Sequence, residues 1–98
     1  MRDGDAIPGI VGGEADGFYA DSPKPAAVRH TLLSASEFRG EEGDRGTMFQ
    51  HTSLYETERG AIVFDAGTFN WSLGLNHEDY IDPRIQQATA NLFNRLRR

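Results

Sequence analysis

Cysteine is absent from this chain of 98 residues. Disulfide bonds, thiolate metal ligands and a cysteine nucleophile are therefore excluded. The absence fits a reducing compartment, and we expect a cytoplasmic protein. Long apolar runs are also lacking, since none approaches the ~20 residues that a membrane-spanning helix needs. Residues 1–20 lack the charged start and apolar core of a secretory signal. We therefore expect no association with a membrane.

Basic residues are the minority charge, with 10 Lys and Arg against 15 Asp and Glu and a net charge of −5. An acidic chain repels phosphate backbones, so nucleic-acid binding is disfavoured. The charge is also uneven. Residues 1–60 carry eleven acids and six bases, whereas residues 61–98 carry four of each. The basic cluster Arg95, Arg97 and Arg98 lies at the end of a predicted helix, where positive side chains complement the helix dipole.

Apolar residues other than glycine make up 38% of the chain, and 11 glycines add many turns. Near the start, glycines and three of the four prolines exclude regular strand pairing. We predict one partial domain over residues 1–98. In it, residues 1–25 form a glycine-rich loop segment, and residues 26–98 hold the strands and a C-terminal helix.

Three segments have the pattern of β-strands. Residues 26–36 alternate imperfectly between polar and apolar side chains, which indicates burial on both faces. Residues 48–56 have one aromatic-rich face, and residues 61–66 are nearly all apolar, as in an internal strand. The sequence between these last two, Thr57-Glu58-Arg59-Gly60, predicts a hairpin turn with glycine where a positive φ is needed. The charged segment 38–47 is predicted to be a loop.

A helix is predicted over residues 83–97. Asp82 is a favoured N-cap residue, and Pro83 is favoured at the first helical position. Apolar residues then recur at helical spacing on one stripe: Ile85, Ala88, Leu92, Phe93 and Leu96. The preceding segment, Asn70-Trp71-Ser72-Leu73-Gly74-Leu75, is predicted to be a loop.

The predicted elements make an α/β unit of about three strands and one helix. One amphipathic helix covers one face of a sheet, but the apolar run from Ile62 to Phe64 needs cover on both faces. The missing cover predicts either a part of a larger layered domain or a chain that binds a partner in its place.

Composition and spacing name no reaction, because nucleophile-elbow, phosphate-loop and dinucleotide motifs are all missing. His51, Glu56 and His77 are metal-ligand types. His51 and Glu56 are separated by an odd number of residues, however, so on one strand they face opposite sides. No metal site is predicted within the chain.

Two acids on a glycine-rich loop, Glu14 and Asp16, are the more interesting candidates. Such a loop can enter a cleft, and a partly buried carboxylate can serve as an acid or base near neutral pH. The alternative interpretation is a solvated acidic loop. Phe69 and Trp71 are candidates for a pocket wall or an interface, and packing anchors are the alternative.

A family resemblance adds to this interpretation. Residues 60–75, GAIVFDAGTFNWSLGL, precede a helix that reads DPRIQQATANL, and residues 9–16 read GIVGGEAD. Leu54 to Thr57 match the upstream strand. Together these segments resemble the C-terminal domain of the N,N-dimethylformamidase large-subunit-like family, with its G(A/S)-x-V-F-x-A-G-T strand, Trp-Ser-x-Gly-Leu segment and D-P-R-x-Q-x-x-T-x-N-L helix.

The resemblance implies a fold like that of class I glutamine amidotransferases, a flavodoxin-like parallel sheet between helices, within a longer protein. It implies hydrolysis of a linear amide C–N bond by an iron centre. The tyrosine and carboxylate ligands of that iron lie upstream of the segment present here, so no cofactor is expected in this chain. The resemblance implies a role for Glu14 alone, as a carboxylate beside the metal or as a general base.

The leading hypothesis is thus the C-terminal segment of a dimethylformamidase-like domain, inactive alone and dependent on a partner that supplies the upstream half. The alternative is a non-catalytic interaction module that binds another protein or a second copy of itself through the uncovered strand and Phe69 to Trp71. A truncated reading frame without function is a third possibility.

Overall fold

Five short strands precede two helices in the computed structural model, which describes residues 1–24, 28–39 and 46–97. The strands are β1 (Arg29–Leu32), β2 (Ser36–Arg39), β3 (Thr47–Gln50), β4 (Ser53–Glu56) and β5 (Ile62–Asp65). The helices are α1 (Trp71–Asn76) and α2 (Pro83–Leu96). The α/β class with a C-terminal helix is confirmed. Among the residues described, neither helix has the length and apolar character needed to cross a membrane.

The strands form two small antiparallel sheets. One has the order β1-β4-β5, and the other consists of β2 and β3. In the larger sheet Leu54 is paired with Phe64, and Tyr55 with Val63. The predicted hairpin between β4 and β5 is confirmed, and Gly60 in its turn has a φ of 86°. Every strand pair described is antiparallel, so the parallel sheet that the resemblance implies is not found in this part of the chain.

The prediction of one strand over residues 48–56 is wrong, because the segment divides at His51 and Thr52 into β3 and β4. The backbone groups at this break form hydrogen bonds with residues that do not belong to one continuous strand pair. The Thr52 carbonyl accepts hydrogen bonds from the Leu33 and Ser34 amides at 2.7 and 3.3 Å. The His51 amide donates to the Asp16 carbonyl at 2.9 Å. Side-chain alternation runs on across the break, so it could not reveal the change of sheet.

Two neighbouring predictions need smaller corrections. The segment predicted as a strand over 26–36 holds β1 and only the first residue of β2, and residues 25–27 lie outside the described part. The predicted loop 38–47 contributes its ends to strands, with Phe38 and Arg39 in β2 and Thr47 in β3. Residues 40–45 of that loop are not described. The two strand ends pair with each other, Arg39 opposite Thr47.

The loop predicted over Asn70–Leu75 is also wrong, because this segment forms α1. The Asn70 carbonyl accepts hydrogen bonds from the Leu73 and Gly74 amides at 3.1 and 3.3 Å, which starts the helix. Gly74 is buried, and a Cβ there would lie 3.0 Å from both Ile10 Cδ1 and Ile85 Cγ2. The glycine that weakens the helical pattern in the sequence therefore allows α1 to approach the core.

Helix α2 begins as predicted, with an Asp82 carboxylate oxygen accepting a hydrogen bond from the Arg84 amide at 2.9 Å. Its apolar stripe is buried only near its start. Ile85 is 2% exposed, whereas Phe93 and Leu96 are 60% and 49% exposed. The last turn is held instead by a charge, because Arg95 pairs with the Glu56 carboxylate, which also pairs with Arg29. The helix thus covers the sheet along part of its length.

The apolar core is very small. Ile10 and Ile85 are the only apolar side chains fully buried among the described residues. A folded monomer of this mass exposes about 5,600 Å², whereas this chain exposes 7511 Å². Its radius of gyration is 14.5 Å, against about 12.6 Å for a typical domain of this length. The chain therefore has more surface than a typical folded monomer of its mass.

Strand β5 lies at an edge of its sheet, so the prediction that it is internal is wrong for the chain as it stands. Its residues alternate between two faces. Ile62 and Phe64 are half-buried on the face toward α2, and Val63 on the opposite face is 43% exposed. Tyr55 and His30 share that opposite face, with ring centroids 5.3 Å apart. Phe18 covers part of this opposite face, with its ring centroid 5.4 Å from that of His30.

We expect Asp82→Ala to lower the unfolding free energy by about 1 kcal/mol, because it removes an N-cap. Hydrogen bonds from the Arg84 side chain and then from its amide hold the pKa of Asp82 below its usual value. A lowered folded-state pKa adds stability at neutral pH that is lost as pH falls through that pKa. Thermal unfolding followed by circular dichroism should therefore show a difference from the wild type that is constant above about pH 5 and shrinks below about pH 4.

Asp82→Asn is the control, because its amide oxygen still caps the helix but carries no charge. Its unfolding temperature should lie between those of the wild type and Asp82→Ala at pH 7. A pH-independent difference between the wild type and Asp82→Ala would contradict the charged contribution.

Candidate functional site

The N-terminal loop segment is fastened to the rest of the fold by the hydroxyl of Thr68. This hydroxyl accepts a hydrogen bond from the Gly12 amide at 3.0 Å and donates to the Ile10 carbonyl at 2.8 Å. Asn70 adds a longer contact, with its side-chain amide 3.4 Å from the Gly9 carbonyl. We call Ile10, Gly12, Thr68 and Asn70 the Thr68 junction. Thr68 itself is only 8% exposed. The junction fixes the position of the residues that follow Gly12.

Beyond the junction, the backbone of residues 14–16 pairs with the loop that follows β5. The Asp16 amide donates to the Gly67 carbonyl at 2.9 Å, and the Phe69 amide donates to the Glu14 carbonyl at 3.2 Å. These bonds form an antiparallel bridge between Ala15 and Thr68. The structure therefore brings three of the predicted site residues, Glu14, Asp16 and Phe69, to one place. The positions of these residues in the sequence did not predict that they lie close together.

The carboxylates of Glu14 and Asp16 are exposed, and neither has a side-chain hydrogen bond within the part of the chain that is described. Phe69 beside them is 68% exposed. The cluster is held through its backbone alone, which leaves the two acids free to meet a ligand or another chain. In this chain they face solvent, which agrees with the solvated-loop alternative.

Trp71 is held elsewhere. Its indole N–H donates to the Thr89 hydroxyl at 3.1 Å, and its ring meets Phe64 edge-on at 5.4 Å between centroids. Both contacts join α1 to α2 and to the sheet. The packing interpretation of Trp71 is therefore correct for part of its surface, and the remainder lines a cleft.

This cleft, of about 1010 Å³, lies between the larger sheet, helix α2 and residues 1–11. Its walls are mainly apolar, and a group of hydrogen-bonded polar side chains lies at one end. Charged side chains from residues 1–5 and from α2 also line it. Among the lining residues are Leu32, Leu54, Phe64, Trp71, Ile85 and Leu92 on the walls and Ser34, Gln50, Thr52 and Thr68 at the polar end. Glu14, Asp16 and Phe69 do not line it. The predicted acidic loop and the cleft are separate features.

The polar end of the cleft is a hydrogen-bonded group that the sequence did not suggest. Gln50 is 1% exposed, and its side-chain amide donates to the Thr52 hydroxyl and the Ala66 carbonyl, both at 3.2 Å. The Thr52 hydroxyl donates to the same carbonyl at 2.7 Å. Buried polar groups need such partners. One feature of the sequence could have indicated this polar group. Gln50 and Thr52 alternate with the same spacing as Met48 and Leu54, at positions where apolar residues are expected.

A smaller cavity, of about 490 Å³, is lined by Phe18, Tyr19, Thr47, Met48, Phe49 and His51. The Phe18 amide donates to His51 Nδ1 at 3.0 Å, so the ring nitrogen that accepts carries no proton in this arrangement. Phe49 stacks on the same ring at 6.5 Å. His51, a residue type that can bind a metal, is thus occupied with structural contacts.

The described residues do not by themselves fit the iron that the resemblance implies. Across residues 1–24, 28–39 and 46–97, no three His, Asp or Glu side chains lie close enough together to hold a metal ion. A catalytic metal requires about three protein ligands around an open position. No chemical step is therefore assigned to a metal held by this chain alone.

Comparison with known proteins gives one match. The model of the family described as N,N-dimethylformamidase beta subunit-like, C-terminal, matches residues 1–86. The match spans the N-terminal loop, both sheets, α1 and the first turn of α2. No curated protein and no solved structure matches the chain.

We expect Gly67→Ala to abolish cooperative folding or to cost at least about 3 kcal/mol, because both strain and a clash act there. Gly67 has a φ of 69°, and a Cβ would lie 2.0 Å from the His51 carbonyl oxygen. The bond from the Asp16 amide to Gly67 would be lost as the loop moved. Urea denaturation followed by circular dichroism measures the cost.

Gly60→Ala is the matched control, since Gly60 has a φ of 86° but no atom within 4 Å of its Cβ position. It should cost only about 1 kcal/mol from backbone strain. Equal losses for the two variants would show that the close approach of Gly67 to His51 does not hold in solution.

Proposed function

Because the chain belongs to the N,N-dimethylformamidase beta subunit-like family, as a C-terminal domain, we propose that it forms part of a hydrolase acting on a linear amide C–N bond. The family match over residues 1–86 is the observation that carries this proposal. Under it the chain is inactive alone and depends on a partner or an upstream half for the metal-binding residues. The lack of cysteine supports a cytoplasmic place for the reaction.

The physical state of the domain supports dependence on further protein. Only two apolar side chains among the described residues are fully buried, and strongly apolar residues of both β5 and α2 face solvent. Layered α/β domains bury both faces of their sheet. Covering the Tyr55 and Val63 face would supply the missing layer, and the same added protein could carry the metal ligands.

Within this proposal Glu14 is the general base or a carboxylate beside the metal. A general base accepts a proton from the attacking water and returns it to the leaving amine. Glu14 suits the role because its main chain is fixed by the bond from Phe69 while its carboxylate is exposed. Asp16, whose main chain is fixed by hydrogen bonds with Gly67 and His51, would contact the substrate beside Glu14.

The test is reconstitution. The purified chain would be mixed with the upstream portion of a longer family member, and release of dimethylamine from dimethylformamide would be followed with iron present. We expect no release by either part alone and measurable release by the mixture. A mixture that binds tightly, as shown by co-elution, but releases no amine would contradict the amidase proposal.

In an active mixture, we expect Glu14→Gln to reduce kcat by about 10²–10⁴-fold, the usual contribution of a general base. Because the Glu14 carboxylate makes no hydrogen bond within the described residues, thermal unfolding of the chain should not change. Glu58→Gln is the control, an equally exposed acid on the β4–β5 turn, and it should leave kcat unaltered. Unchanged turnover in Glu14→Gln would refute the role.

A second candidate function is association without catalysis, either with another protein or with a second copy. The specific observations are the exposed Val63 and Phe69, together with the open edge of β5. Exposed apolar surface of this kind usually marks an interface. Size-exclusion chromatography with light scattering distinguishes the cases. A stable, cooperatively unfolding monomer would argue against both an obligate partner and a missing half.

A further inference from the structure

The contacts of His51 decide which nitrogen of its ring carries the proton. Its backbone amide donates to the Asp16 carbonyl at 2.9 Å, and its Nδ1 accepts the Phe18 amide at 3.0 Å. The Phe49 ring stacks on the imidazole, with 25° between the two ring planes. Because a backbone amide can only donate, Nδ1 is the unprotonated nitrogen, and Nε2 carries the hydrogen of the neutral ring.

The Nε2–H group of His51 is open to a ligand. Within residues 1–24, 28–39 and 46–97, the hydrogen bond from Phe18 is the one that this ring makes. In the same part of the chain, His30 Nε2 is the one buried side-chain nitrogen or oxygen that lacks a partner. His51 Nε2 is therefore accessible to solvent. A donor that is already fixed in tautomer and orientation loses little conformational freedom when it binds an acceptor.

The space beside this ring is the smaller cavity, of about 490 Å³. Small-molecule sites typically have volumes of about 300–1,000 Å³, apolar and aromatic walls, and a few well-placed polar groups. Besides His51, the lining residues are Phe18, Tyr19, Thr47, Met48 and Phe49. None of these described residues carries a charge, so a buried ionic ligand would lack a counter-ion here. The cavity therefore favours a neutral molecule that has a hydrogen-bond acceptor.

The cavity wall and the acidic loop belong to one short segment. Phe18 follows Asp16 by two residues, and the Asp16 carbonyl accepts the His51 amide. Between them Gly17 lies against the neighbouring strand, because a Cβ there would be 2.5 Å from the Phe49 carbonyl oxygen. Residues 16–18 thus lie directly against residues 49–51. The contacts that fix the Asp16 main chain also fix the wall of the cavity.

We propose that His51 is a substrate-binding residue, whose Nε2–H donates a hydrogen bond to the carbonyl oxygen of a small neutral amide in this cavity. The alkyl groups of the amide lie against the rings of Phe18 and Phe49. This inference rests on the amidase function proposed above and adds a binding residue for its substrate. A carbonyl oxygen is an acceptor without charge, which is what the N–H group and the uncharged walls require.

Two substitutions separate the roles of the two ring nitrogens. The side-chain amide of asparagine lies as many bonds from the backbone as Nδ1 does, and that of glutamine as many as Nε2 does. His51→Asn therefore keeps an acceptor for the Phe18 amide but has no group at the Nε2 position. His51→Gln keeps a donor near the Nε2 position but loses the acceptor for Phe18.

Binding is measured on the purified chain by NMR titration with N,N-dimethylformamide, with the backbone amide signal of Phe18 as the reporter. We expect a saturable shift in the wild type. His51→Asn should unfold at nearly the wild-type temperature but raise the dissociation constant about tenfold, as the loss of one hydrogen bond does. His51→Gln should unfold at a lower temperature, yet bind within about threefold of the wild type.

His77→Asn is the matched control. His77 Nδ1 also accepts a backbone amide, from Asp79 at 3.4 Å, but His77 does not line the cavity. This variant should leave the dissociation constant unaltered. A purely structural His51 would make His51→Gln the weaker binder of the two, because it alone loses the bond to Phe18. That order, equal binding by His51→Asn and the wild type, or no saturable shift in the folded wild type would each overturn the proposal.

Turnover distinguishes failure of this site from failure of the amidase function. In an active reconstituted mixture, His51→Asn should raise KM about tenfold with a smaller change in kcat, as expected when a binding contact is lost. Amine release with an unaltered KM in His51→Asn would refute the site and leave the function in place. Binding of dimethylformamide to the chain without amine release by the mixture would refute the function and leave the site in place.

Discussion

The hydroxyl of Thr68 is the contact on which the arrangement of this chain depends. It joins the loop after β5 to the Gly12 amide and the Ile10 carbonyl, across more than fifty residues of sequence. Ile10 thereby packs against Gly74, as Ile85 does. Ile10 and Ile85 are the fully buried apolar side chains of the described residues. Because the first 24 residues contain no helix or strand of their own, their position follows from this junction and the adjoining backbone bridge.

Buried polar side chains connect the parts of this fold, a role that an apolar core has in larger domains. Gln50, Thr52 and Thr68 are buried, and each is hydrogen-bonded to main-chain carbonyls. Such networks specify a geometry but add little net stability. A fold built this way, with apolar residues left on the surface, is suited to completion by more protein. Family membership and the open β5 edge give two different accounts of what completes it.

Local chemistry explains which elements could be predicted. Asp82 and Pro83 set the start of α2, and Gly60 set the hairpin, because a cap and a positive φ act within a few residues. The division of 48–56 between two sheets could not be predicted, since it arises from bonds to Asp16 and to the segment that follows β1. Helix α1 was missed because Gly74 weakens a helical pattern, although its lack of a side chain is what lets the helix pack.

The α/β class, the hairpin, the C-terminal helix and the family could be predicted from the sequence, because local periodicity, turn residues and a long matching pattern indicate them. The sequence also named Glu14, Asp16 and Phe69 as separate candidates. The three-dimensional arrangement was needed to show that these three lie together and that the cleft with Gln50 at its polar end lies apart from them. It also showed that β5 is an edge strand among the described residues. These features depend on hydrogen bonds between residues far apart in the chain. The spacing of residues along the sequence does not predict such bonds.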